Sequence, residues 1–158
     1  METEMDYEVK DLPAVRVAYL RYKGPFGQAV GEFWKEVFTP WQKSRNLLGK
    51  VTYGVAQDDP GTTPANETRY DACVEVSADY PIVPPAKEAS IAAGRYAVAA
   101  FEGTGDQIPA AWGEFFAAIQ AAGIFRPALC FERYPADYAM DPATGIFKAE
   151  LCIPVNQA

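Results

Sequence analysis

The chain contains no histidine. Its absence removes the commonest metal ligand and the side chain that most readily acts as a general base near neutral pH, and with it many enzyme classes. Cysteine is scarce: Cys73, Cys130 and Cys152 stand far apart with no C-x-x-C pair, which excludes a disulfide framework and fits a reduced, cytoplasmic protein. No metal and no cofactor are expected from such a set. Long apolar runs are also missing. Nothing approaches the roughly 18 residues of a membrane span, and the opening Met1-Glu-Thr-Glu-Met-Asp6 is acidic where a signal peptide would be basic. Positive charge is short as well. Fourteen Lys and Arg against 21 Asp and Glu leave a net charge of −7, the wrong sign for holding phosphate backbones, so direct nucleic-acid binding is disfavoured. The same field favours cationic ligands.

What is present reads as one globular domain over 1–158, because 49% hydrophobic and 22% charged residues can build an ordinary core at this length. Val15–Tyr22 is rich in β-branched and aromatic residues and stops at Gly24-Pro25, the pattern of a strand ending in a turn. The period then changes. Val30, Phe33, Trp34, Val37 and Trp41 mark one face of an amphipathic helix of about four turns, with Pro40 placed to kink or end it. Strands follow at 51–56 and 70–76, separated by the turn-forming loop 58–64. Residues 79–88 carry Pro81, Pro84 and Pro85 and read as an irregular connector.

After that connector the order repeats, with a strand at 94–101, a helix face of Ile108, Ala111, Trp112, Phe115, Phe116 and Ile119, and strands at 128–134 and 147–153. Laid over each other at an offset near 79, the halves bring Arg16 onto Arg95, Gly24 onto Gly103 and Cys73 onto Cys152. The helices share Gly31-Glu-Phe-Trp34 and Gly113-Glu-Phe-Phe116. The expected fold is therefore α+β: two strand-helix-strand-strand modules, approximately 6–77 and 88–156, related by a pseudo-twofold axis in an antiparallel sheet. A cleft between the halves is where a ligand would lie.

Aromatic residues make up 13% of the chain, more than two helix faces absorb, so some are available to line such a cleft. Phe33, Trp34, Phe115 and Phe116 have core positions to fill; Trp112 has an indole edge that suits the groove. Among the carboxylates most sit in turns, on helix surfaces or in the acidic N-terminal segment. Glu132 lies instead inside Ala128-Leu-Cys-Phe-Glu-Arg-Tyr134, where alternation puts it on one face with Cys130 and Tyr134. It is either on the solvent side of a half-buried strand or inside a pocket.

Several segments together resemble a known family: Asp59-Pro-Gly-Thr-Thr-Pro64 with Arg69-Tyr-Asp-Ala-Cys73, Gly94-Arg-Tyr-Ala-Val98 with Phe101 and Gly103, and Pro127 with Cys130-Phe-Glu-Arg-Tyr134. In this order and spacing, from Tyr7 to Val155, the chain is similar to the GyrI-like family. This is the effector-binding domain of AraC- and MerR-type transcription regulators and of stand-alone proteins. The resemblance implies two modules around an aromatic cleft, with Glu132 as counter-ion to lipophilic cations in a multidrug-binding, xenobiotic-protective site; Gly54 overlies Glu132 in the first half. Strand position and aromatic type then nominate Tyr134, Trp112, Tyr53 and Tyr19 as the lining, with Phe26 and Tyr96 beside them.

Three functions are compatible with this reading. The first is a small-molecule binding protein for amphipathic, cationic xenobiotics or metabolites, with no DNA-binding module of its own in the chain. The second, implied by the resemblance, is a hydrolase of electrophilic cyclopropane-type xenobiotics with Glu132 as its catalytic acid or base. The third, also implied by the resemblance, is a protein-partner inhibitor of DNA gyrase, using the acidic segment Glu2–Asp11. A catalytic thiol is rejected, since no His stands by to lower the pKa of Cys130.

Overall fold

Eight strands hydrogen-bond into one curled antiparallel sheet: β1 (Glu8–Leu12), β2 (Val15–Lys23), β3 (Thr52–Ala56), β4 (Arg69–Glu75), β5 (Lys87–Ile91), β6 (Gly94–Gly103), β7 (Phe131–Tyr134) and β8 (Phe147–Pro154). The computed structural model describes residues 6–59 and 61–156, so Glu2 and Glu4 of the acidic segment lie outside the described residues. Across the sheet the order is β1-β6-β8-β7-β3-β4-β2-β5. Exchanging the first four strands with the last four reverses that order and changes nothing else, which is what a pseudo-twofold axis between β3 and β7 requires.

The registers carry the same relation. Tyr19 lies opposite Cys73 and Val98 opposite Cys152, a shift of 79 residues on both strands. Glu8 opposite Val98 and Lys87 opposite Tyr19 repeat it at the two edges. The β3/β4 and β7/β8 registers fit a shift of 78 on the central strands. Gly54 and Glu132, which pair directly across β3 and β7, are then each other's equivalents, and the axis runs through that pair.

β1 and β5 extend the expected strand-helix-strand-strand modules. Each half contributes a leading edge strand that crosses over to pair with the other half, β1 on β6 and β5 on β2. Their sequences, Glu-Val-Lys-Asp-Leu and Lys-Glu-Ala-Ser-Ile, are charged and poorly alternating, as befits edges that must discourage further pairing. The irregular connector expected over 79–88 accordingly ends where β5 begins at Lys87. The strand expected from Ala128 begins at Phe131.

Both helical segments cover one face of the sheet. In the second half this segment is a single helix, Ile108–Ala122, which buries Ala111, Phe115 and Ile119 on Ala97, Ala99, Leu151 and Ile153 and ends on Gly123 in the left-handed conformation. In the first half the helical run is continuous but not uniform: α1 (Gln28–Phe33), a π-helical segment (Trp34–Phe38) and α2 (Thr39–Ser44), with the later helix Ile108–Ala122 numbered α3. Pro40 explains the wide turn, because it has no N–H to give Glu36 and its ring would clash with that carbonyl in a regular helix. The extra residue in the turn rotates the downstream face. Phe38, absent from the expected apolar stripe, is fully buried, while Val37, expected on that stripe, is 47% exposed.

The opposite face packs on itself as the sheet curls, through Val17, Tyr53, Val55, Tyr96, Val98 and Phe131. Among the described residues no helix is long and apolar enough to cross a membrane.

Candidate functional site

Glu132 projects from β7 on the helix-covered face, at the pseudo-twofold axis, and is 9% exposed. A carboxylate so deep must find hydrogen-bond donors or a counter-charge. It finds donors. Tyr70 Oη donates to Oε1 at 2.9 Å, Tyr134 Oη donates to the same oxygen at 2.7 Å, and Trp112 Nε1 donates to Oε2 at 3.0 Å. Trp34 Nε1 in turn donates to Tyr70 Oη at 3.1 Å. Among the described residues no Lys or Arg forms an ion pair with Glu132. The acid is therefore solvated by three aromatic side chains, Trp112 from the second helical segment, Tyr70 from β4 and Tyr134 from β7, with Trp34 of the first helical segment behind Tyr70.

Local sequence explains each position. Glu132 and Tyr134 are two residues apart in a strand and share a face. Tyr70 reaches the acid across β3 because residue 54 is glycine: a Cβ there would lie 1.8 Å from Tyr70 Oη and 2.8 Å from Glu132 Oε1. Trp112 stands one residue after the buried Ala111, at the flank of the α3 core stripe that faces the groove. Trp34 opens the π segment, edge-on to Tyr134 with ring centroids 5.5 Å apart.

Burial raises the phenols of Tyr70 and Tyr134 well above their ordinary value, and the neighbouring Glu132 charge pushes them further up. Both are neutral donors at physiological pH. Cys130, two residues from Glu132, has its thiol pushed up to about 12 by burial, so it is a poor nucleophile. The arrangement can hold a negative charge in an apolar, aromatic setting. Among the described residues no group of His, Cys, Asp and Glu is placed to hold a metal ion.

Of the residues nominated from sequence, the structure brings Glu132, Tyr134 and Trp112 into one hydrogen-bonded group, and places Phe26 behind it, edge-on to Tyr70 at 6.0 Å. It does not bring Tyr53, Tyr19 or Tyr96 there. Tyr53 pairs with Arg133, one residue out of phase with Glu132, and so points to the opposite face. Tyr19 and Tyr96 pack on that same face, with Tyr96 against Phe131 at 5.2 Å. Tyr70, Trp34 and Gly54's steric role were missed. The glycine inside an alternating strand was the available signal, since it marks a close approach of another group.

Two open depressions lie elsewhere. One, of about 570 Å³, has Arg133, Lys148, Glu102 and Glu150 around Phe101 and Pro135; the other, of about 70 Å³, sits on the face of Tyr96, Phe131 and Cys73.

A duplicated half-barrel whose axis carries one buried, aromatic-solvated acid defines a small-molecule binding domain. The chain belongs to the GyrI-like family: the profile of the GyrI-like small molecule binding domain matches residues 5–156. It is 31% identical over 158 residues to the DNA gyrase inhibitor of Escherichia coli (strain K12), covering 96% of this chain and 98% of the relative. Two solved structures share the fold. SAV2435 bound to tetraphenylphosphonium superposes with a TM-score of 0.66 at 17% identity, covering 96% of this chain and 94% of that one. The EcmrR C-terminal domain gives a TM-score of 0.76 at 13% identity, covering 98% and 99%.

Proposed function

We propose that the domain binds lipophilic cations, with Glu132 as the counter-ion and Tyr70, Tyr134 and Trp112 as the aromatic walls around it. The observation that carries this reading is the buried carboxylate satisfied only by neutral aromatic donors among the described residues. Among the described residues this carboxylate meets no Lys or Arg, so a ligand cation that water does not screen gains from pairing with it. Aromatic faces add about 0.5–2 kcal/mol per cation contact. Oε2 accepts one hydrogen bond against two on Oε1 and is the oxygen with capacity left. The tetraphenylphosphonium carried by SAV2435 supports the same ligand class.

The test is a titration with tetraphenylphosphonium and with neutral triphenylphosphine oxide, followed by tryptophan fluorescence. The expected result is binding near micromolar, about −8 kcal/mol, with Glu132→Gln abolishing the preference for the cation. Equal affinity for cation and neutral compound in the unaltered protein would rule this reading out.

A second reading rests on the identity to the E. coli DNA gyrase inhibitor. Capture of purified gyrase by this protein, weakened by salt, is its expected signature, and capture should persist in Glu132→Gln.

A further inference from the structure

Among the described residues, the hydrogen bonds link Trp34 to Glu132 through Tyr70. Its indole N–H donates to Tyr70 Oη at 3.1 Å, and that phenol donates onward to Glu132 Oε1 at 2.9 Å. The Trp34 ring itself is committed to packing. Phe38, Tyr134 and Tyr70 stand steeply inclined to it, with centroids at 5.0, 5.5 and 6.4 Å. Trp112, by contrast, donates to the acid directly.

Building on the cation-binding reading, we propose that Trp34 is a positioning residue that sets the strength of the cation site from one step away: by donating to Tyr70 it strengthens the phenol's hydrogen bond to Glu132 and reduces the charge left for a ligand. The physical basis is cooperativity. A hydroxyl that accepts a hydrogen bond becomes a better donor, and the effect grows where water is excluded. Tyr70 is 5% exposed and Glu132 9%. Trp34 acts on the Tyr70 phenol in the acidifying direction, opposing both burial and the Glu132 charge. Geometry supports the relay, because Gly54 leaves the space over β3 in which Tyr70 Oη meets Oε1.

The sign of the effect separates this role from a simple wall. If the Trp34 ring stacked on the cation, replacing it by phenylalanine would weaken cations more than neutral compounds, since indole is the best cation–π partner. The relay gives the reverse. In Trp34→Phe the phenol donates more weakly, Oε1 keeps more charge, and preference for tetraphenylphosphonium over triphenylphosphine oxide rises about fivefold, the effect of part of one neutral hydrogen bond. Tyr70→Phe removes the donor itself and raises the preference at least as far.

Indole resonances in 15N-tryptophan-labelled protein give a readout independent of ligand. Trp41 Nε1 is buried without a partner among the described residues and serves as an internal reference for correct folding. Glu132→Gln and Tyr70→Phe should each move the Trp34 indole resonance and leave that of Trp41 in place. A Trp34 resonance unmoved by Glu132→Gln overturns the relay, as does a cation preference that falls or stays constant in Trp34→Phe. An unaltered protein with no cation preference overturns the cation-binding reading instead, and the Trp34 resonance alone then decides whether the relay exists.

Discussion

Gly54 and Glu132 are equivalent positions that face each other, yet one is the smallest residue and the other a charged one. The smallness is required. In Gly54→Ala the new Cβ would occupy the place of Tyr70 Oη, and the ring cannot simply back away because Phe26 and Trp34 lie against it. The expected cost is about 1–3 kcal/mol, read as a lowered urea midpoint, with non-additivity in Gly54→Ala/Tyr70→Phe, where the hydroxyl clash is gone while the Tyr70 ring carbon and Glu132 Oε1 still crowd the Cβ. The two phenols make a second prediction. Their folded pKa values are raised above the unfolded value of 10.0, so the stability they contribute is fully present below pH 10 and is lost as pH climbs toward the folded values. Urea midpoints should hold constant from neutral pH and fall above pH 10. Replacing Tyr70 and Tyr134 together by phenylalanine should flatten that fall, whatever it does to the midpoint at neutral pH. An unchanged alkaline slope would mean that neither phenol is held neutral by the fold.

At the scale of the element, the helical run from Gln28 to Ser44 shows where a periodicity reading stops working. A 3.6-residue repeat carries the apolar stripe from Val30 through Trp34 to Val37. The π turn inserts one residue, so Phe38 goes in and Val37 comes out. Only Pro40 announces this in the sequence, and a proline there serves equally to end a helix. Phe38→Ala should therefore cost about 3–5 kcal/mol of unfolding free energy, and Val37→Lys should stay within about 0.5 kcal/mol. A regular helix would invert that ranking, so chemical denaturation of the two variants tests the turn directly. The edge strands β1 and β5 escaped the sequence for a different reason: a charge stands on the apolar face of each, Asp11 beside Val9 and Lys87 beside Ala89 and Ile91, as suits an edge that must discourage further pairing. Elements with a buried face on both sides, such as β4 and β8, were legible from their side chains alone. The site was half legible. Strand parity joins Glu132 to Tyr134, but Tyr70 comes from a strand 62 residues earlier in the chain, and only the register of β3 between them brings it within 2.9 Å. The same absence of register information admitted Tyr53 and Tyr19, which have the right chemistry on the wrong face.

For the whole molecule, crossing over of the edge strands means that neither half contains its own complete sheet. β1 needs β6, β5 needs β2, and β3 needs β7. Separate chains 6–77 and 88–156 should each be largely unfolded at low concentration and combine one-to-one on mixing, with recovery of β-sheet circular dichroism. The competing species are homodimers, in which the pseudo-twofold axis would become a true one. In a homodimer of 88–156 the central pairing would set Glu132 against Glu132 of the second copy. Cross-strand Cβ atoms lie only about 4.5–5.5 Å apart, and two buried carboxylates so close cannot both remain ionised. Tyr70, one of the three donors, would be missing, its place taken by Ala149, its equivalent at the shift of 79. In a homodimer of 6–77 the axis would carry two glycines and no acid for the paired hydroxyls of Tyr70. The single acid thus makes the mixed pair the favoured one. Sedimentation should show the heterodimer at neutral pH, with the 88–156 homodimer gaining ground on acidification or in Glu132→Gln. If that homodimer were as stable as the mixed complex at neutral pH, the asymmetry at the axis would have no bearing on how the halves choose each other.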